Sequence, residues 1–129
     1  MPVDRTPITA AAAPRPAGPY SHAIRTSGSL LFLAGQAPFD PATNKLVGGP
    51  IETQTARVLE NLRSVVEAAG GRLEDAVRVG VFLADMADFA GFNEVYRRYF
   101  EEPHPARTTV QSDLPGFAIE IDAVVALAD

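Results

Sequence analysis

The chain has no cysteine, which excludes disulfides, thiolate chemistry and zinc or iron–sulfur sites built on cysteine. Histidine is almost as scarce. His22 and His104 are the only two, one in a strand-like segment and one between prolines. They read as surface residues and support neither a metal cluster nor the paired histidines of an acid/base nuclease. A basic stripe is also missing: eleven Lys and Arg stand against sixteen Asp and Glu, for a formal net charge of −5. The cations are scattered, so the electrostatic part of nucleic-acid affinity has no source. No window approaches the ~20 apolar residues of a membrane-spanning helix. Residues 1–8 carry an acid and two prolines where a signal peptide would begin basic and continue apolar. The expectation is a soluble, cytoplasmic protein with no nucleic-acid or membrane partner.

What is present suffices for one domain spanning residues 1–129, since 47% of the chain is hydrophobic and that length can bury a core without staples. After a proline-rich entry (Pro14, Pro16, Pro19), residues 21–35 read as two short strands turning at Thr26-Ser27-Gly28-Ser29. The second, Leu30-Leu31-Phe32-Leu33-Ala34, is apolar throughout and is expected to be buried on both faces. Residues 36–50 have loop chemistry and enough length to form part of a site or an interface.

Ile51, Thr55, Val58, Leu59, Leu62, Val65, Val66 and Ala69 fall at helical spacing and predict an amphipathic helix closed by Gly70-Gly71. Residues 76–84 alternate as a strand. Asp85 can cap a second helix whose inward stripe is Met86, Phe89, Phe92, Tyr96, Tyr99 and Phe100, stopped by Pro103 and Pro105. Gly48-Gly49-Pro50 lacks the lysine of a phosphate loop and reads as a turn. The order strand, strand, helix, strand, helix, strand, strand gives an α+β fold, a mixed sheet with both helices on one face. The apolar residues of the other face then call for cover by a second protomer, in a cyclic homo-oligomer.

The last two strands carry the chemistry. In the run from Ile119, alternation turns Ile119, Ile121, Ala123, Val125 and Leu127 to one side and Glu120 and Asp122 to the other. By the same count Arg107, Thr109 and Gln111 share the polar side of the preceding strand. Hairpin pairing of the two strands would bring Arg107 and Glu120 onto one wall, and a one-residue slip would move Arg107 to the apolar face. An arginine fork can pair both oxygens of a carboxylate, and a glutamate can orient a water and pass a proton. The plainer role for such a pair is a cross-strand salt bridge worth ~0.2–1 kcal/mol. Asp122 reads as a structural or rim carboxylate, Tyr20 as packing, and Asn93 as a buried amide that braces a loop.

Five motifs in register carry a resemblance: Gly18-Pro19-Tyr20, Ala34-Gly35-Gln36, Phe92-Asn93-Glu94-Val95-Tyr96, Pro105-Ala106-Arg107 and Ile119-Glu120-Ile121-Asp122-Ala123. From about Ile8 onward the chain resembles the RidA/YjgF family of reactive-intermediate deaminases, also labelled endoribonuclease L-PSP. The resemblance implies a chorismate-mutase-like fold with a mixed sheet of about six strands, a homotrimer, and clefts between subunits. There 2-imino or 2-enamino acids such as 2-aminoacrylate and 2-iminobutyrate would be hydrolysed to 2-keto acids and ammonia, with no cofactor. It implies catalytic roles for Arg107, which holds the substrate carboxylate, and Glu120, which positions the water. Tyr20, Gly35, Thr109 and Asn93 would line or support the cleft. Ala34 and Thr109 depart from the serine and cysteine that many members have there, which bears on substrate preference; threonine keeps a small donor and acceptor. Two other functions stay open at this point: a narrower catabolic enamine deaminase acting on an aminomuconate or aminoacrylate, and a non-catalytic trimer that binds small carboxylates as a sensor. An RNA-cleaving activity is opposed by the net charge and the missing histidines.

Overall fold

The apolar stripe of residues 51–69 and the two glycines behind it set the longest element of the computed structural model, which describes residues 3–128. In chain order the elements are β1 (Arg5–Ile8), β2 (Ala23–Thr26), β3 (Leu30–Gln36), β4 (Phe39–Asp40), β5 (Lys45–Leu46), α1 (Ile51–Ala68), β6 (Ala76–Leu83), α2 (Phe89–Tyr99), β7 (Ala106–Gln111) and β8 (Ile119–Ala126). Helix α1 buries Val58, Leu59, Leu62 and Val66 completely, while Val65, counted in the stripe above, is exposed. Gly70 closes the helix at φ +81°. Its amide and that of Gly71 return to the carbonyls of Glu67 and Val66, a conformation glycine adopts without steric penalty. None of the helices of the described residues is long and apolar enough to cross a membrane.

Asp85 does cap, but its side chain accepts from the Ala87 amide at 2.9 Å and opens a single 3-10 turn, Met86–Asp88, that leads into α2. Phe92, Tyr96 and Phe100 face the core as expected. Met86 does not: it lies one turn before the α-helix begins and is 39% exposed.

Four strands form the main sheet in the order β3-β8-β6-β7. Strand β8 runs antiparallel to β3 and β6, and β6 pairs β7 in parallel across the α2 crossover, the connection a parallel pair requires. Both helices contribute to the core on one side of this sheet. The remaining long strands, β1 and β2, form a separate ribbon, and β4 and β5 a small hairpin inside the 36–50 loop. The six-stranded sheet expected from the sequence is thus divided into four strands and two. Strand β1 went unread because Pro7 interrupts it, and Pro7 sits in a two-stranded ribbon, where proline is tolerated.

Strand pairing corrects the hairpin expected at the C-terminus. Strands β7 and β8 are not neighbours; β6 lies between them. Arg107 stands opposite Val79 and Thr109 opposite Val81, and Val79 and Val81 are core residues beneath the helices. Arg107 is therefore on the helix-covered face and not on the polar side to which alternation assigned it. Glu120 stands opposite Phe82 and Asp122 opposite Gly80, so both carboxylates lie on the outer face. Directly paired residues share a face, and in one chain Arg107 and Glu120 are on opposite sides of the sheet.

The outer face is apolar as well as acidic. Phe32 is 74% exposed, with Leu30 and Val110 also exposed. The expectation that residues 30–34 are buried on both faces therefore fails in the single chain. Leu33 is buried among the helices, and Phe32 points away from them.

Candidate functional site

A short turn and one parallel bridge bring Tyr20 to Arg107. The Tyr20 amide donates to the Gly18 carbonyl at 2.8 Å across Pro19, a three-residue turn that the fixed φ of proline suits. The Tyr20 hydroxyl accepts from the Ala17 amide at 3.0 Å. The next residue, Ser21, bridges to Ala106 in parallel, and its amide donates to the Pro105 carbonyl at 3.1 Å. The loop thereby runs beside the start of β7, and Tyr20 flanks the arginine.

Helix α2 supplies the rest of the surroundings. The Arg107 guanidinium lies 4.8 Å from the Tyr96 ring centroid, 5.2 Å from Phe92, 5.7 Å from Phe89 and 5.9 Å from Tyr20. Phe89, Phe92 and Tyr96 recur at helical spacing, so one face of α2 both fills the core and walls the cation. Each such contact is worth ~0.5–2 kcal/mol depending on desolvation. Between them Asn93, itself buried, accepts from Arg107 Nη1 at 2.8 Å. Asn93 therefore braces the arginine directly and not a loop.

Burial lowers the pKa of Arg107 from its ordinary value, opposed by the neighbouring Tyr96 and Tyr20 and helped by Arg97. Starting that high, an arginine stays charged at any working pH. Burial also raises Tyr96, whose hydroxyl has no hydrogen-bond partner. Among the described residues Arg107 forms no ion pair with any carboxylate. A half-buried cation held by rings and one amide, with no anion beside it, is arranged to receive one.

The arginine opens on a cleft of about 280 Å³ lined by Ala17, Gly18, Tyr20, Met86, Phe89, Arg107 and Thr109. The Thr109 hydroxyl is buried and has no hydrogen-bond partner among the described residues. A larger groove, of about 630 Å³, lies elsewhere, among Arg5, Arg63, Arg72, Glu74, Asp75 and Arg98. It contains none of the candidate site residues named from the sequence, and its lining mixes four arginines with five carboxylates.

Glu120 and Gly35 meet on the outer face. Strand β3 carries a bulge between Leu33 and Gln36 against β8, and a Cβ on Gly35 would collide with the Glu120 carboxylate. Glycine is what lets the carboxylate lie across β3, a close approach typical of glycine at a bulge. Asp122 lies over Gly80 in the same manner.

Of the residues marked in the sequence, the structure brings Arg107, Tyr20 and Thr109 to one cleft, with Asn93 bracing the arginine. It brings Gly35 and Glu120 together on the opposite face. Met86, Phe89 and Ala17 were not marked. The signal for Phe89 was present in the spacing of Phe89, Phe92 and Tyr96 around Asn93, but that stripe was read as core alone. The histidines are also tied down. His22 accepts from the Ala10 amide and pairs with the Pro14 carbonyl, which holds the proline-rich entry in place.

Comparison with known proteins gives one consistent result. The family model described as Endoribonuclease L-PSP matches residues 10–127. A RutC family protein of Pyrococcus horikoshii is 53% identical over 114 residues, 87% of this chain and 90% of that one. A 2-iminobutanoate/2-iminopropanoate deaminase of Dermatophagoides farinae is 38% identical over 122 residues, 93% of this chain and 94% of its own. The crystal structure of RidA from an Antarctic Psychrobacter superposes with a TM-score of 0.73 at 39% identity, covering 95% of this chain and 100% of that one.

Proposed function

The chain belongs to the endoribonuclease L-PSP family, the RidA/YjgF group, and from that premise we propose that it is a cytoplasmic, cofactor-independent deaminase of small 2-imino and 2-enamino acids. The observation that carries this reading is Arg107, a half-buried guanidinium facing a cleft with no carboxylate beside it. The relative named as an iminobutanoate deaminase supports the reaction class.

In this reading the substrate carboxylate pairs with the Arg107 fork, which fixes the adjacent C=N carbon. Glu120 takes a proton from a water as the water oxygen bonds to that carbon, and the nitrogen, receiving the C=N π pair, takes a proton from solvent to give a neutral carbinolamine. Glu120 then returns its proton to the nitrogen, the hydroxyl gives its proton to solvent as the C=O forms, and the C–N bond breaks to release ammonia and leave a 2-keto acid. A positioned acid/base group contributes ~10²–10⁴-fold, an adequate factor for an imine that already hydrolyses in water.

Arg107 and Glu120 lie on opposite faces of one sheet, so a site using both requires two copies of the chain. One presents the cleft, and the next presents the outer face bearing Glu120, Gly35 and the exposed Phe32. A head-to-tail contact gives a ring where its rotation closes, and a homotrimer of chorismate-mutase-like subunits is the ring proposed here. The binding-only reading has one observation in its favour, since a single chain already offers Arg107 for a carboxylate without Glu120.

Release of 2-ketobutyrate from 2-iminobutyrate, formed in situ by an amino-acid oxidase, tests the proposal. Acceleration over the uncatalysed rate supports it, and its absence removes it. Two substitutions refine the test. Asn93→Asp sets a carboxylate against Arg107 where an amide oxygen now sits, and it competes with the substrate. KM should rise about tenfold or more, the effect of a charged partner worth ~1.5–3 kcal/mol, with kcat much less affected. Gly35→Ala displaces only the flexible end of Glu120, so the melting temperature should hold while kcat falls; equal activity in that variant would show that the carboxylate position does not matter.

A further inference from the structure

We propose that Gln54 is a positioning residue for Glu120, its side-chain amide fixing the backbone that leads into β8 and so the place of the carboxylate; the inference rests on the deaminase reading above. The pairing of β3 with β8 ends at Gln36 opposite Ile121. Glu120 lies one residue beyond that last pair, and its paired neighbour is Phe82 of β6. What holds residues 118 and 119 therefore decides where the Glu120 carboxylate lies over Gly35.

Ile119 is fully buried in the core, and the Ala118 carbonyl accepts from the Ala84 amide at 2.9 Å. The Ala118 amide in turn donates to Gln54 Oε1 at 2.9 Å. The other end of that side chain is engaged as well, for Gln54 Nε2 donates to the Gly49 carbonyl at 2.9 Å. These two partners leave the amide one orientation, since exchanging its oxygen and nitrogen would break both bonds.

Gln54 stands in the first turns of α1 and is buried, and both of its partners belong to the same chain, so the arrangement is complete without a second copy. Gly49 lies at the end of the 36–50 loop, which leaves β3 directly after Gly35 and Gln36. One side chain thus ties the end of that loop to the start of the strand that carries the carboxylate. Burying a glutamine costs free energy unless its polar atoms are bonded, and here each end has a backbone partner.

The test is hydrolysis of 2-iminobutyrate by Gln54→Met, which keeps the length of the side chain and makes neither bond. Its kcat should fall about tenfold, short of the ~10²-fold that a 1 Å misplacement can cost. KM, and the calorimetric Kd of 2-oxobutanoate, should stay within about twofold, the pattern of a lost chemical step with binding retained; a general loosening of the fold would move both. Gln54→Glu keeps an acceptor for the Ala118 amide and loses the donor to Gly49, and its kcat should return to within about threefold of the parent's. Should Gln54→Met fail to fold, Gln54→Asn, one methylene short of the Ala118 amide, is read in its place with the same expected loss. Unchanged kcat in an active protein, a loss shared equally by KM and Kd, or a Gln54→Glu variant as slow as Gln54→Met would overturn the positioning role and leave the deaminase reading standing. A parent that accelerates no imine would remove both.

Discussion

Replacing Arg107 with alanine is expected to lower kcat/KM for 2-imino acids by about 10²–10⁴-fold, since two charge-assisted hydrogen bonds to a carboxylate, at ~1.5–3 kcal/mol each, are lost together. The fold should survive. The guanidinium is already partly stripped of water, so its removal relieves a desolvation cost. Against that, Asn93 Oδ1 loses the Arg107 donor, a penalty of ~1–3 kcal/mol if water does not replace it. A thermal melt with a shift of a few degrees, beside an assay near background, is the expected pair of results. Lysine should not rescue: a point charge on a flexible stem cannot present the fork that the rings and Asn93 hold in orientation. Near-normal turnover by either variant would remove Arg107 from the mechanism.

Glu120→Gln is expected to lower kcat by about 10²–10⁴-fold, the range for removing a positioned acid/base, with KM much less changed. Glutamine keeps the shape that lies over Gly35, and it can still hold a water, but it cannot accept the proton. The contrast with Arg107 is diagnostic, for one variant loses binding and the other loses the chemical step. Because Glu120 forms no ion pair among the described residues, stability should change little. Full activity in Glu120→Gln would remove Glu120 from the mechanism, whereas a parent protein that binds 2-keto acids through Arg107 but accelerates no imine would select the non-catalytic carboxylate binder instead.

The helices and strands were largely legible because their patterns are local. The stripe from Ile51 to Val66 and the glycines behind it determine α1, and the alternation Val77, Val79, Val81, Leu83 determines β6. Pairing was not legible, because it depends on which edge of β6 each later strand takes. Once the α2 crossover sends β7 parallel to one side of β6, β8 occupies the other side. Arg107, Thr109 and Gln111 alternate like a solvent-facing polar row, yet they lie on the core side of an edge strand. A cation is tolerated there because Phe89, Phe92 and Tyr96 turn their rings to it and Asn93 accepts from it. The residues named from the motifs were informative; the wall they were thought to share does not exist in one chain. That misplacement is itself what requires two chains for a site holding both Arg107 and Glu120.

The most direct measurement is complementation between two inactive chains. Arg107→Ala and Glu120→Ala proteins are co-expressed with different tags, the mixed oligomer is purified through both tags, and hydrolysis of 2-iminobutyrate is assayed. In a head-to-tail trimer every mixed ring, two copies of one variant and one of the other, restores about one site in three, with Arg107 from one copy and Glu120 from its neighbour. Activity near that fraction of the parent's is the result that two-chain assembly predicts. A mixed oligomer as inactive as its components would contradict it.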